Sequence, residues 1–203
     1  MSLRILPFRQ YDENDVINLF ALEGAYVNES ITGSSYGDAG VFVKVSAGDF
    51  DKDPVSYSDD SYLGKTDYPH VLAQYPSVNL KCAPAVSGDS CLGISLRQTA
   101  KYDENGEKLL YNPIKAEEHF CVMPGQAIPV ATRGVFTLTA DGYSGALAVG
   151  GGVQLSAVES GKVVGCAASS ADKIGTVIGT GSRSSGNITD AWEGDYAVIA
   201  LGL

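Results

Sequence analysis

Apolar residues recur along this chain in short runs, usually alternating with polar ones and cut off by glycine, proline or clustered polar residues. Val41-Phe42-Val43-Lys44-Val45 is β-branched and lies between Gly40 and Gly48, which predicts a strand. From Leu92 to Arg97 apolar and polar positions alternate, predicting a second strand with one buried face. Asp103-Glu104-Asn105-Gly106-Glu107 then supplies a turn, because Asn-Gly tolerates positive φ, and Lys108-Leu109-Leu110-Tyr111 is expected to return as the other arm of a hairpin. Further on, short strands are predicted at 127–130, 134–139 and 153–155, at 162–164 after the Ser160-Gly161 turn, at 175–178, and at 196–201. Gly179 to Asn187 reads as a flexible polar loop. Helical signals are few. Asp12 to Leu22 is the best of them, with Asn14 or Asp15 as a cap ahead of Val16, Ile17, Leu19, Phe20 and Leu22, although the same residues also satisfy a buried strand. The class expected is all-β, with a small barrel or sandwich in the second part.

Composition divides the chain near residue 120. Residues 1–120 hold 18 acidic and 10 basic residues and nine of the eleven tyrosines, whereas residues 121–203 hold 6 acidic, 4 basic and 15 of the 24 glycines. Two parts are expected: an N-terminal extension of strands and long loops over 1–85, and a β-domain over 86–203. The net charge of −10 argues against nucleic acid as partner, since neutralising phosphates takes clustered Lys and Arg. No apolar run approaches the ~20 residues of a membrane-spanning helix. The first ten residues lack the apolar core and small-residue site of a secretory signal, so none is expected.

Chemistry-bearing residues are present without a recognisable arrangement. Cys82, Cys91, Cys121 and Cys166 form no CxxC pair, and buried free thiols are expected; a bridge between Cys82 and Cys91 is the alternative. Asp49, Asp51 and Asp53, followed by Asp59 and Asp60, match the opening of a calcium loop, but Pro54 stands where that loop needs glycine; a solvated acidic loop is expected, with no metal and no cofactor. The run Gly179 to Gly186 is similar in composition to a phosphate loop and lacks its Gly-Lys-Ser/Thr ending. Only two histidines, His70 and His119, are available as general bases, and no Gly-x-Ser-x-Gly elbow occurs, so no catalytic residues are assigned and the chain is not expected to be an enzyme. A hydrolase using carboxylates of the Asp49 to Asp60 loop is kept as a minor reading.

One resemblance adds a function. The stretch from Leu92 to Tyr111, then Gly125-Gln-Ala-Ile-Pro-Val-Ala-Thr-Arg-Gly-Val-Phe-Thr-Leu, is followed by the Gly-rich link, Val153-Gln154-Leu155, the Ser160-Gly161-Lys162 turn, Ile174 to Ile178 and a terminal apolar strand. In that order, over about residues 90–203, these segments resemble the capsid decoration (cement) proteins of tailed bacteriophages, which have a small β-barrel or β-tulip core. The resemblance implies a structural virion protein, made in the host cytoplasm, that binds the major capsid protein on the outer capsid surface. It also implies a homo-oligomer, trimer or dimer, that bridges neighbouring capsid subunits. The N-terminal segment is then a candidate reaching arm, with Leu3, Arg4, Ile5, Leu6, Phe8 and Arg9 as capsid-contact candidates; packing back on its own domain is the alternative. A carbohydrate-binding head- or tail-fibre module using Trp192 and the early tyrosines is the second function reading.

Overall fold

The computed structural model describes residues 4–48, 55–56, 77–78, 80–184 and 193–202. In chain order the strands are β1 (Ile5–Gln10), β2 (Val16–Ile17), β3 (Ala21–Leu22), β4 (Asn28–Ser30), β5 (Phe42–Ala47), β6 (Val55–Ser56), β7 (Ser77–Val78), β8 (Lys81–Pro84) and β9 (Gly93–Ser95). They continue as β10 (Gln98–Tyr102), β11 (Cys121–Val122), β12 (Val130–Ala131), β13 (Arg133–Thr139), β14 (Tyr143–Ser144), β15 (Gly152–Leu155), β16 (Val163–Cys166), β17 (Gly175–Arg183) and β18 (Gly194–Gly202). One α-helix, α1 (Pro113–Glu118), and short 3-10 turns complete the described elements, so the protein is all-β.

Two sheets carry most of the structure. The larger runs β1-β13-β18-β17-β15-β16-β14, and the second runs β2-β12-β9-β5-β8-β3. A small sheet, β11-β10-β4, is parallel and sits under α1. Alternation along β5 explains how these layers meet. Phe42 points into a core shared with Ile5, Phe136, Leu138, Val153 and Ile199 of the larger sheet, while Val41 and Val43 point the other way, against Phe20, Leu22, Leu80 and Val130. The second sheet is therefore covered on both faces. Phe42 and Phe136 are wholly buried, each contributing about 2–3 kcal/mol of hydrophobic stabilisation. Gly161 ties the layers together: its carbonyl accepts from Phe42 N–H at 3.0 Å and its N–H donates to Ala85 at 2.8 Å.

The larger sheet is open, with β1 and β14 at its two ends, and no closed barrel is formed among the described residues. Its apolar face is covered by Phe42 and Ile94 of the second sheet, which removes the need for it to close on itself. Strands from both sides of residue 85 share sheets: β1 pairs with β13, β5 with β9, and β2 with β12.

Of the two readings open for Asp12 to Leu22, helix or buried strand, the strand forms in part: a 3-10 turn over Glu13–Asp15 precedes β2 and β3, Ala21 and Leu22 are buried, and the cap is Asp12, whose carboxylate accepts from Asn14 N–H at 2.8 Å. Two local expectations are corrected. The Asn105-Gly106 turn forms, with Gly106 at φ +83°, but the return contributes a single bridge, Tyr102 to Lys108. Leu109–Tyr111 is then a 3-10 turn, because Asn112 caps α1 and Pro113 occupies its first turn, pulling the chain out of the ladder. Finally, Gly179 to Arg183 is strand. It pairs with Gly194–Val198 in a long hairpin, so backbone hydrogen bonds hold a segment with little apolar pattern of its own.

A groove between β1 and the end of the short helix

The N-terminal residues singled out above separate into two groups. Leu3 lies outside the described residues. Arg4, Ile5 and Leu6 are buried at 7%, 2% and 2% exposure, so their side chains belong to the protein's own interior and are not available to a neighbour. The physical reason is the β1–β13 pairing, which sets Ile5 opposite Leu138 in the shared core. Arg4 Nε donates to Asp38 Oδ2 at 3.4 Å and its Nη2 to the Ser35 carbonyl at 3.2 Å. Asp38 also accepts from Asn28 Nδ2 at 2.7 Å and Ser34 Oγ at 3.2 Å. Burial nevertheless raises the Asp38 pKa above the usual aspartate value, the hydrogen bonds and the Arg4 charge opposing it. Phe8, by contrast, is 54% exposed, and Arg9 is half-buried at the surface.

A groove of about 340 Å³ opens beside the outer strand β1. Ile5, Leu6, Pro7 and Arg9 form its β1 wall, Glu118, His119 and Phe120 line it from the end of α1, and Asp38, Ala39, Leu96 and Gln98 complete the lining, so two carboxylate residues line it as well as one arginine. The two walls are held in register by the segment around Arg97. Arg97 donates two parallel bonds to the Glu117 carboxylate, at 3.0 and 3.1 Å, and Gln98 Nε2 donates to the His119 carbonyl at 2.9 Å. The Arg97 hydrogen bonds and charge hold the Glu117 carboxyl below the usual glutamate range. From β1, Arg9 Nη1 reaches the Leu96 carbonyl at 3.5 Å.

Three arginines lie over aromatic rings, and of the residues involved Arg9 and Phe120 line the groove. Arg97 lies 5.9 Å from the centre of the Phe120 ring, Arg9 5.8 Å from Tyr11, and Arg183 of the β17–β18 hairpin 5.3 Å from Phe8. Phe120 is also the sole described non-glycine residue at positive φ, +50°. It follows the last turn of α1, where its N–H bonds the Glu117 carbonyl at 3.0 Å, a position that usually takes glycine. Phe120 is 61% exposed, and Tyr111 and Ile114, just before and within α1, are 77% and 73% exposed. Sequence reasoning missed this side of the face: it assigns no element to 113–118, and the strand return it expects over 108–111 is a 3-10 turn in its place. The Asn112-Pro113 pair was the legible signal.

The other sequence candidates do not join it. Cys82, Cys91, Cys121 and Cys166 are free thiols, and burial pushes Cys82 and Cys91 up to about 12 and Cys121 up to about 11. Trp192, His70 and the carboxylates of Asp49, Asp51, Asp53, Asp59 and Asp60 lie outside the described residues. Among the described residues, no three His, Cys, Asp or Glu side chains gather as a metal site, and no helix is long and apolar enough to cross a membrane. No family model, curated protein or solved structure matches this chain.

Proposed function

We propose that this chain is a structural virion protein that binds the outer surface of a tailed-phage capsid through the groove face and stabilises the head by bridging neighbouring capsid subunits, acting as a trimer or dimer. One observation carries the reading. A chain of net charge −10 sets three of its five arginines over aromatic rings, and one of those arginines, Arg9, and one of those rings, Phe120, line a single mostly apolar groove. Arginine and aromatic residues are the side chains enriched in the energetic centres of protein–protein interfaces. The order of motifs that resembles decoration proteins supports the virion context. Its later segments, from Arg133 to the last strand, form neighbouring strands of one sheet.

In this reading the protein works by burying surface across capsid subunits, and the rigid two-sheet body transmits load between its contacts. Phe8 and Arg9 serve as contact residues from β1, while Arg4, Ile5 and Leu6 hold that strand to the body. The acidic remainder of the surface keeps the decorated particle from adhering to nucleic acid. The test is co-sedimentation of purified protein with capsids that lack it, followed by thermal release of DNA from the particles. Saturable binding that raises the release temperature is expected. Protein left in the supernatant, with particles no more stable than before, would sink the proposal.

A further inference from the structure

The turn that follows β10 carries chemistry that neither the groove nor the capsid reading uses. Asn105 is the one asparagine of this chain that precedes a glycine. Asn105 and Gly106 are both exposed, and a Cβ built on Gly106 would meet nothing within 4 Å. Among the described residues no group bonds the Asn105 carboxamide; the residue is tied down through its backbone N–H. A free carboxamide followed by an unhindered main-chain nitrogen lets an asparagine be attacked by its own backbone. Glycine has no side chain to hold that nitrogen away from the carboxamide carbon, and its backbone is free to turn. The Gly106 N–H is held by one bond, to the Asp103 carbonyl at 3.3 Å, which is long for its kind.

The other described asparagines each lack part of this arrangement. Asn14 donates its side-chain amide to Asp12 at 2.7 Å, and Asn28 is buried and bonded to Asp38. Asn112 precedes Pro113, which has no N–H, and Asn18 precedes the bulky Leu19.

We infer that Asn105 is a site of spontaneous covalent modification, converted through a cyclic succinimide into aspartyl and isoaspartyl residues, and that the isoaspartyl product releases the turn from α1. The Gly106 main-chain nitrogen, having given its proton to base, attacks Asn105 Cγ. The N–Cγ bond forms, the Cγ–Nδ2 bond breaks, and Nδ2 leaves as ammonia with a proton from solvent. Water then opens the ring at either carbonyl carbon. Cleavage of the new N–Cγ bond leaves a side-chain carboxylate on an ordinary backbone. Cleavage of the original peptide bond instead routes the main chain through Cβ and Cγ, which adds a methylene to it. Either route consumes water, expels ammonia and turns a neutral residue into an anion.

Asp103 is what makes the added methylene matter. This residue is 3% exposed, and its Oδ1 accepts from both Asn105 N–H and Glu107 N–H at 2.8 Å, while Oδ2 accepts from Lys115 Nζ of α1 at 3.0 Å. The two N–H groups converge on one oxygen across the length of ordinary backbone between them. The methylene enters between those two groups, so both bonds cannot keep their geometry, and the carboxylate that holds Lys115 loses its seat.

The full chain is incubated in mildly alkaline buffer and digested with trypsin, with an unincubated sample digested alongside. Peptide 102–108 is then read by mass spectrometry and compared with the same peptide synthesised and kept free in solution. Conversion of Asn105 in the folded protein, faster as pH rises and yielding product that a protein isoaspartyl methyltransferase labels, is the expected result. Asn105→Gln, whose larger ring closes less readily, should leave the segment unconverted. Conversion of the free peptide with Asn105 intact in the folded protein would overturn the site. Asn105→Asp carries the new charge on an ordinary backbone and so separates the second claim from the first. Hydrogen exchange across 109–118 should match the parent in that variant and quicken in the isoaspartyl form separated by chromatography. Equal exchange in all three would overturn the release of α1.

Discussion

Phe120 and Gly161 occupy backbone of the same hand for opposite reasons. At φ +50° Phe120 costs about 1 kcal/mol relative to glycine, and its cation–π contact with Arg97 returns about 0.5–1 kcal/mol. Phe120→Gly should therefore shift the urea midpoint by less than about 1 kcal/mol equivalent in either direction, consistent with a residue retained for what its ring touches. Gly161, at φ +75°, has no such freedom: a Cβ there would lie 2.5 Å from Val41 Cγ1, inside the joint between the two sheets. Gly161→Ala should cost about 2 kcal/mol or more, read from the same unfolding curve. The raised thiol pKa values of Cys82, Cys91 and Cys121 make a third expectation. At pH 8 the folded protein should leave these three unlabelled by iodoacetamide, and labelling should appear with unfolding.

Among the elements, β1 is the one whose role the structure changes most. Its composition, Ile-Leu-Pro-Phe-Arg, fits either a reaching arm or a packed strand, and the decision comes from partners more than 120 residues away in β13. Ile5→Ala should destabilise the whole fold by about 2–4 kcal/mol, as expected when a buried aliphatic leaves a cavity in the shared core. Phe8→Ser, at a half-exposed position of the same strand, should cost less than about 1 kcal/mol. Comparable large losses from both would contradict the assignment of an inward and an outward set. Legibility followed the source of each element's stability. β5 was readable because Val41, Phe42 and Val43 alternate between two cores that their own side chains fill. Gly179 to Arg183 was not, because its strand is made by backbone bonds to β18. Of the groove, the β1 side includes Ile5, Leu6 and Arg9, which the sequence singled out; the other wall depended on α1 bringing Glu118, His119 and Phe120 to the same groove, a long-range arrangement with only the Asn112-Pro113 cap as a local sign.

For the whole molecule, charge sets the response to acid. Asp89, Asp103, Glu117 and Glu159 have pKa values held below the ordinary range by backbone hydrogen bonds or by Lys44, Lys115, Arg97 and Lys162. Their contribution is present above the unfolded carboxylate pKa and is lost as pH falls through the depressed values, so stability should decline below about pH 4. Asp38 acts in the other direction. Its raised folded pKa means that the fold binds the proton more tightly than the unfolded chain, which partly offsets the acid loss. Asp38→Asn should therefore steepen the decline measured by unfolding at successive pH values; an unchanged slope would place Asp38's titration outside the folding equilibrium. Capsid binding through the groove face is tested most directly by co-sedimentation of the protein and its Arg9→Glu variant with capsids lacking it. Saturable binding by the parent, weakened about tenfold or more by the charge reversal while the variant stays folded, is the expected result. Parent protein that does not pellet with the capsids would contradict it.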